Sequence, residues 1–287
     1  MNRRDAEPSW VTMKKADLTI DGKHVACLEC GAGPTIVFLH AGASSGRQWV
    51  KTAALLEPRY RILAPDLWGF GATDAFSGSA ELNHDHQARL VAAVIEQLCD
   101  APVHLVGHSY GGATGVRLML GRPQLLRACV LIEPVLMTLL KRGGDDEKYF
   151  NDYELMARSF LDNVAAGRLD AAWSRFLDYR NGTGTWNGLG DAARERFGSG
   201  TEPIVAGFRT NLGNPTSIAD IKALDLPTLV LRGENTTNPD RRVAEILRDH
   251  IPRCRYQIIA GAEHMSPLSH PAFIAEVVER HILGSLV

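Results

Sequence analysis

Gly107-His108-Ser109-Tyr110-Gly111 places a hydroxyl between two glycines in a G-x-S-x-G pattern. Its surroundings indicate what that hydroxyl could do. The run 102–106 (PVHLV) has the composition of a buried strand, and 110–120 opens a helix that Gly121 and Pro123 stop. A serine on so sharp a strand-to-helix turn has a strained backbone. Side chains two residues away on either side would collide, and Gly107 and Gly111 remove that collision. The hydroxyl then stands clear of the sheet, beside a helix N-terminus that offers N–H groups to a forming anion. A serine hydroxyl is a poor nucleophile at neutral pH and needs a base within hydrogen-bond reach. Of the ten histidines, His264 has the placement for it. It follows the last strand and a Gly turn, which brings it to the edge of the sheet where Ser109 sits. His108 flanks Ser109 but is expected to point elsewhere, and His270, before Pro271, reads as structural.

The elements that must position these groups alternate along the chain. Strands are expected at 35–39, 61–65, 102–106, 127–132, 227–232 and 255–259, and helices at 49–56, 82–99, 110–120, 240–250 and 271–284. Strands alternating with helices imply βαβ units and a mainly parallel sheet covered on both faces. The alternation breaks between about 136 and 215. That span shows no strand pattern and carries large apolar residues, among them Tyr149, Phe150, Phe160, Trp173 and Phe176. It reads as a helical lid whose underside forms a substrate pocket, hung over the carboxyl ends of the strands.

Composition narrows the class. A chain of 287 residues suggests one large domain with an inserted subdomain. Hydrophobic residues make up 45% and charged residues 22%, as in an ordinary enzyme. The net charge of −2 gives no reason to expect nucleic acid as a partner. No apolar run approaches the roughly 18 residues of a membrane span. The polar start, Met1 to Pro8, does not read as a secretory signal, so a cytoplasmic protein is expected. Five cysteines do not make a disulfide framework. Cys27-Leu28-Glu29-Cys30 has no second pair to complete a zinc site and ends an extended stretch, so it reads as strand cysteines. His84-Asp85-His86 begins an amphipathic helix and reads as a solvated helix start. No metal and no cofactor are expected.

Taken in order, these motifs resemble the α/β-hydrolase superfamily from about residue 18 onward. Leu39-His40-Ala41-Gly42-Ala43 with Trp49 is similar to its His-Gly oxyanion loop, with Ala41 in place of the usual glycine. Pro65-Asp66 through Thr73-Asp74 is similar to its D-x-x-G-x-G-x-S-D turn, with Thr73 for Ser. Gly107–Gly111 matches the nucleophile elbow, and Gly261-Ala262-Glu263-His264 the loop of the catalytic histidine. The resemblance implies an eight-stranded, mostly parallel sheet. Residues 1–135 and 216–287 would form the core, and 136–215 a helical cap inserted after strand six. It also implies an oxyanion hole made by the N–H of Tyr110 and that of Gly42, with Ala43 the near alternative, and His40 bracing the loop.

The third partner departs from the pattern. Most members carry an Asp in a G-x-x-D turn after strand seven, but here the turn reads Gly233-Glu234-Asn235-Thr236. Some members place the acid after strand six, where this chain has Glu133. A carboxylate at the end of a buried strand is costly unless paired, and pairing with His264 would explain it. Asp240 and Glu234 remain the nearby alternatives. Ser109 at the elbow, rather than Asp, argues against dehalogenase and epoxide hydrolase chemistry and favours acyl transfer to water. The expected reaction is hydrolysis of a small-to-medium hydrophobic carboxylic ester, lactone or thioester. C–C bond hydrolysis or lyase chemistry on the same residues, and a non-catalytic ligand-binding protein, are the other readings. The oligomeric state is not legible.

Overall fold

The structure is a computed structural model that describes residues 13–284; the polar start at 1–8 lies outside the described residues. Eight strands form one sheet: β1 (Lys14–Ile20), β2 (Lys23–Cys30), β3 (Thr35–Leu39), β4 (Arg61–Pro65), β5 (Val103–His108), β6 (Leu126–Ile132), β7 (Thr228–Gly233) and β8 (Cys254–Ile259). Their spatial order is β1-β2-β4-β3-β5-β6-β7-β8. β1 and β2 form an antiparallel hairpin and β2 also runs antiparallel to β4; all other pairs are parallel. The expected doubly covered, mostly parallel sheet is therefore the observed one, and the C-terminal ends of β3, β5, β6 and β7 lie side by side.

The helices are α1 (Val50–Leu56), α2 (His84–Leu98), α3 (Tyr110–Gly121), α4 (Gly144–Ala165), α5 (Leu169–Asn181), α6 (Asp191–Ser199), α7 (Thr201–Leu212), α8 (Ile218–Lys222), α9 (Asn238–His250), α10 (Ser266–Ser269) and α11 (Pro271–Leu283). Strand alternation decides which face of the sheet each side chain fills. Val37 and Leu39 of β3 join the core on one face, and Ile36 and Phe38 the core on the other. Each such fully buried side chain contributes about 1.5–3 kcal/mol relative to exposure.

Helices α4 to α8 occupy the interval between β6 and β7, where the strand pattern fails in the sequence. Their apolar residues pack on one another: Phe160 and Trp173 meet edge to face at 5.3 Å between ring centres, and Phe160 and Phe208 at 5.0 Å. Among the described residues no helix is long and apolar enough to cross a membrane.

Two readings of local motifs meet different fates. Cys27 and Cys30 lie in β2 as free thiols, and burial pushes the Cys27 thiol up to about 12, which makes it inert. The solvated helix start holds for only part of His84-Asp85-His86. Asp85 pairs with Arg117, and the His86 ring completes a capping box with Asn83. His84 corrects it: the ring is buried, bonded to Thr114 and Asn211. Those partners lie 30 and 127 residues away, beyond the reach of any local pattern.

Candidate active site

Ser109 leaves β5 with φ 54° and ψ −114°, a conformation that L-residues adopt only under constraint. The constraint is visible around it. Its N–H donates to the Ile132 carbonyl, and its own carbonyl accepts from the N–H groups of Ala113 and Val135. A Cβ on Gly107 would come within 2.7 Å of the Gly111 carbonyl oxygen, and one on Gly111 within 2.6 Å of two carbonyl oxygens, Leu39 and His40. Both glycines therefore allow backbones to approach where no side chain fits. Of the four described non-glycine residues with positive φ, three (Ala43, Ser109 and Glu133) stand at this end of the sheet.

Ser109 Oγ lies 3.0 Å from His264 Nε2, and His264 Nδ1 lies 2.6 Å from Glu133 Oε2. All three residues are buried, with Glu133 only 1% exposed. The carboxylate is further held by the Gly233 N–H on Oε1 at 2.6 Å and the Thr236 hydroxyl on Oε2 at 2.8 Å. Those two donors offset the cost of burying a carboxylate at the end of β6. With Nδ1–H directed at Glu133, His264 presents an unprotonated Nε2 to the serine proton.

The other carboxylates near the strand-seven loop are engaged elsewhere. Asp240 accepts from Arg180 of α5 in a buried ion pair and from the Thr237 hydroxyl at 2.6 Å. Glu234 accepts the Gly261 N–H at 2.8 Å. Neither is bonded to His264. Glu133, Asp240 and His264 do bring possible ligand atoms within 4.8 Å of one another. However, both ring nitrogens of His264 are bonded already and Asp240 is already paired with a cation, so the cluster does not fit a metal ion.

Gly42 and Tyr110 line the same cavity as Ser109, together with Ala43. Neither the Gly42 nor the Tyr110 N–H has a hydrogen-bond partner among the described residues. His40 holds the Gly42 loop from below: its Nδ1–H donates to the Ala41 carbonyl at 2.7 Å, and Nε2 accepts from the Leu67 N–H at 3.0 Å. Burial lowers the pKa of His40, which keeps one of its nitrogens free to accept.

Three groups have roles here that motif reading did not give. Gln48 accepts from the Ala41 N–H at 3.1 Å and donates to His108 Nδ1 at 3.1 Å. His108 Nε2 then donates to the backbone carbonyl of His264 at 2.9 Å. Burial drives the His108 pKa down to about 3, so the ring stays neutral and can play both parts. His108 does point away from the Ser109 hydroxyl, yet it ties the His264 loop to the Gly42 loop. Thr236 is the third. It cannot act as an acid, but it holds Glu133.

The cavity above Ser109 measures about 290 Å³. Its walls are mainly apolar, with Phe176, Leu177, Phe197, Ile204 and Phe208 from α5 to α7 and Phe70, Val135, Met265 and Leu268 from the sheet side. Concave apolar walls carrying few polar groups are the general form of small-molecule sites.

Comparison with known proteins bears on the fold and the family. A sequence model of the alpha/beta hydrolase family matches residues 36–277. The chain is 26% identical over 261 residues to pimeloyl-[acyl-carrier protein] methyl ester esterase of Aeromonas hydrophila, covering 88% of this chain and 97% of that protein. It is 24% identical over 254 residues to 2-hydroxymuconate semialdehyde hydrolase of a Pseudomonas species, covering 87% of each. Its fold superposes on a thermophilic esterase from Thermogutta terrifontis with a TM-score of 0.75 at 19% identity, over 95% of this chain and 99% of that one. Motifs in order, sheet topology and family match together show that this chain belongs to the alpha/beta hydrolase family and is a hydrolase of that fold.

Proposed function

We propose that the protein hydrolyses carboxylic esters carrying small-to-medium hydrophobic groups, by way of an acyl-enzyme on Ser109. The observation that carries this reading is the unbroken relay from Ser109 Oγ through His264 to Glu133 beneath an apolar cavity. In the first step Ser109 Oγ attacks the ester carbonyl while His264 Nε2 takes its proton. The Glu133 carboxylate stabilises the imidazolium that forms and holds its tautomer. The N–H groups of Tyr110 and Gly42 receive the developing oxyanion, each such donor contributing about 3 kcal/mol in the transition state. Collapse expels the alcohol, which takes the proton from His264. Water then attacks the acyl-enzyme with His264 again as base, releasing the acid and restoring the Ser109 hydroxyl.

In this reading residues 136–215 act as a cap over a core made by the described residues of 1–135 and 216–287. Helices α4 to α7 supply one wall of the cavity and exclude water from the reacting bond. No step needs a metal or a cofactor. Among the relatives, the esterase similarity extends over 97% of that protein, which supports ester hydrolysis. The relative named a semialdehyde hydrolase keeps C–C bond cleavage as the competing reading.

Parallel assays of short p-nitrophenyl esters and of a vinylogous 1,5-diketone decide between the two. Ester turnover is expected to exceed diketone cleavage by at least about 10²-fold in kcat/KM, the discrimination expected of a site shaped for one bond type. Faster cleavage of the diketone would replace the esterase reading with the C–C one.

A further inference from the structure

A buried polar chain outside the Ser109 relay ends on the same cavity. Thr114 Oγ1 of α3 lies 3.0 Å from His84 Nδ1, His84 Nε2 lies 3.0 Å from Asn211 Oδ1, and Asn211 Nδ2 lies 3.2 Å from the Tyr153 hydroxyl. All four residues are buried, and Tyr153 and Asn211 line the cavity. The four residues come from four helices, α3, α2, α7 and α4, brought together only by folding.

The chain has a direction. Burial lowers His84 to about 4, so the ring is neutral, with one nitrogen donating and the other accepting. The Thr114 hydroxyl has no other partner among the described residues, so it donates to Nδ1. Nε2 then carries the proton and donates to Asn211 Oδ1. That fixes the amide with its NH₂ toward Tyr153, whose oxygen accepts. The proton of the Tyr153 hydroxyl is left without an acceptor among the described residues, and burial pushes this phenol up to about 12, so it keeps that proton. A buried donor without an acceptor is costly, and an oxygen on a bound molecule would relieve the cost.

We propose that Tyr153, oriented by Thr114, His84 and Asn211, is a substrate-selecting hydrogen-bond donor for a second, neutral carbonyl oxygen on the substrate, besides the one Ser109 attacks. The inference rests on the ester-hydrolysis reading for its substrate class and extends it to bifunctional esters. Neutrality follows from the neighbouring charges. The Arg180 guanidinium lies 5.8 Å from the Tyr153 ring centre, but it is paired with Asp240, whose carboxylate lies within 4.8 Å of that of Glu133. One cation faces two carboxylates there, which disfavours a third on the substrate.

The test compares methyl heptanoate, the methyl esters of 4-, 5- and 6-oxoheptanoic acid, and monomethyl adipate on the full-length protein. One oxo ester is expected to exceed methyl heptanoate in kcat/KM by about tenfold, chiefly through KM, with monomethyl adipate the poorest. Tyr153→Phe is expected to bring the oxo-to-heptanoate ratio close to one. Thr114→Val is expected to lower the same ratio, and Thr114→Ser to restore it. An unchanged ratio in Tyr153→Phe, no oxo preference in the wild type, or a preference for monomethyl adipate would each overturn the proposal. If no ester is turned over, the esterase reading fails by itself. The Tyr153 site is then judged by equilibrium affinities of the same esters for Ser109→Ala, with and without Tyr153→Phe, where the same tenfold ratio is expected and its absence overturns it.

Discussion

Glu133→Gln is expected to lower kcat about 10⁴-fold with little change in the thermal midpoint, the scale of loss when a triad acid becomes an amide. The size follows from the three bonds its carboxylate accepts. Oε1 takes the Gly233 N–H, and Oε2 takes both the Thr236 hydroxyl and His264 Nδ1–H. A glutamine has one oxygen for these donors. If that oxygen stays on Gly233, its NH₂ faces His264 and forces Nδ1 to accept. The ring proton then moves to Nε2, and Nε2 can no longer take the proton of Ser109. Asp240→Asn gives the contrasting result. Asp240 holds Arg180 and Thr237 and makes no bond to His264, so chemistry is expected to suffer far less than in Glu133→Gln. Stability is expected to fall by about 3 kcal/mol, because a buried guanidinium loses its counter-charge. Steady-state kinetics and thermal melts on the two variants separate the roles. A large kcat loss in Asp240→Asn with a near-normal Glu133→Gln would move the acid to the strand-seven loop.

Gly111→Ala is expected to lower both stability and activity, by about 1–3 kcal/mol and about 10²-fold in kcat/KM. The added Cβ would meet the carbonyl oxygens of Leu39 and His40 at 2.6 Å, and backbone cannot swing aside as a side-chain tip can. Relief requires β3 and α3 to separate. That would stretch the bond from the Gly111 N–H to the His40 carbonyl and shift the Gly42 loop relative to Tyr110. Gly121→Ala is the control in the same helix. Nothing lies within 4 Å of its Cβ position, so it is expected to be neutral or slightly stabilising. Equal behaviour of the two variants would show that close approach at the turn is not what Gly111 provides.

The parts of this molecule that could be read from sequence are those governed by local rules. The turn at Ser109, the strand before it and the helix after it follow from glycine spacing and apolar runs. The position of His264 follows from chain order, since a loop after the last parallel strand returns to the same sheet edge. Glu133 stood out because the resemblance allows an acid after strand six, and here an acidic residue follows an apolar strand at that place. What stayed hidden depends on distant partners. β1 was invisible because its sequence, KKADLTI, is an edge strand with mixed polarity and no buried run. His84 looked like a surface residue until α3 and α7 closed over it. His108 was expected to point away from Ser109 and does, but its bonds to Gln48 and to the His264 carbonyl were unreadable for the same reason, since they join segments 60 and 156 residues apart. Thr236 looked like a missing acid, whereas its hydroxyl donates to the carboxylate of Glu133, the residue after β6.

Ester hydrolysis by this chain depends most directly on Ser109 as an activated nucleophile. Treatment of the folded protein with a fluorophosphonate, followed by intact mass and peptide mapping, measures that property. The prediction is one phosphonyl group per chain, on the peptide carrying Ser109, absent in Ser109→Ala and strongly slowed in His264→Ala. A folded protein that takes up no label at Ser109, or takes it up as readily without His264, would contradict a nucleophilic Ser109 activated by His264.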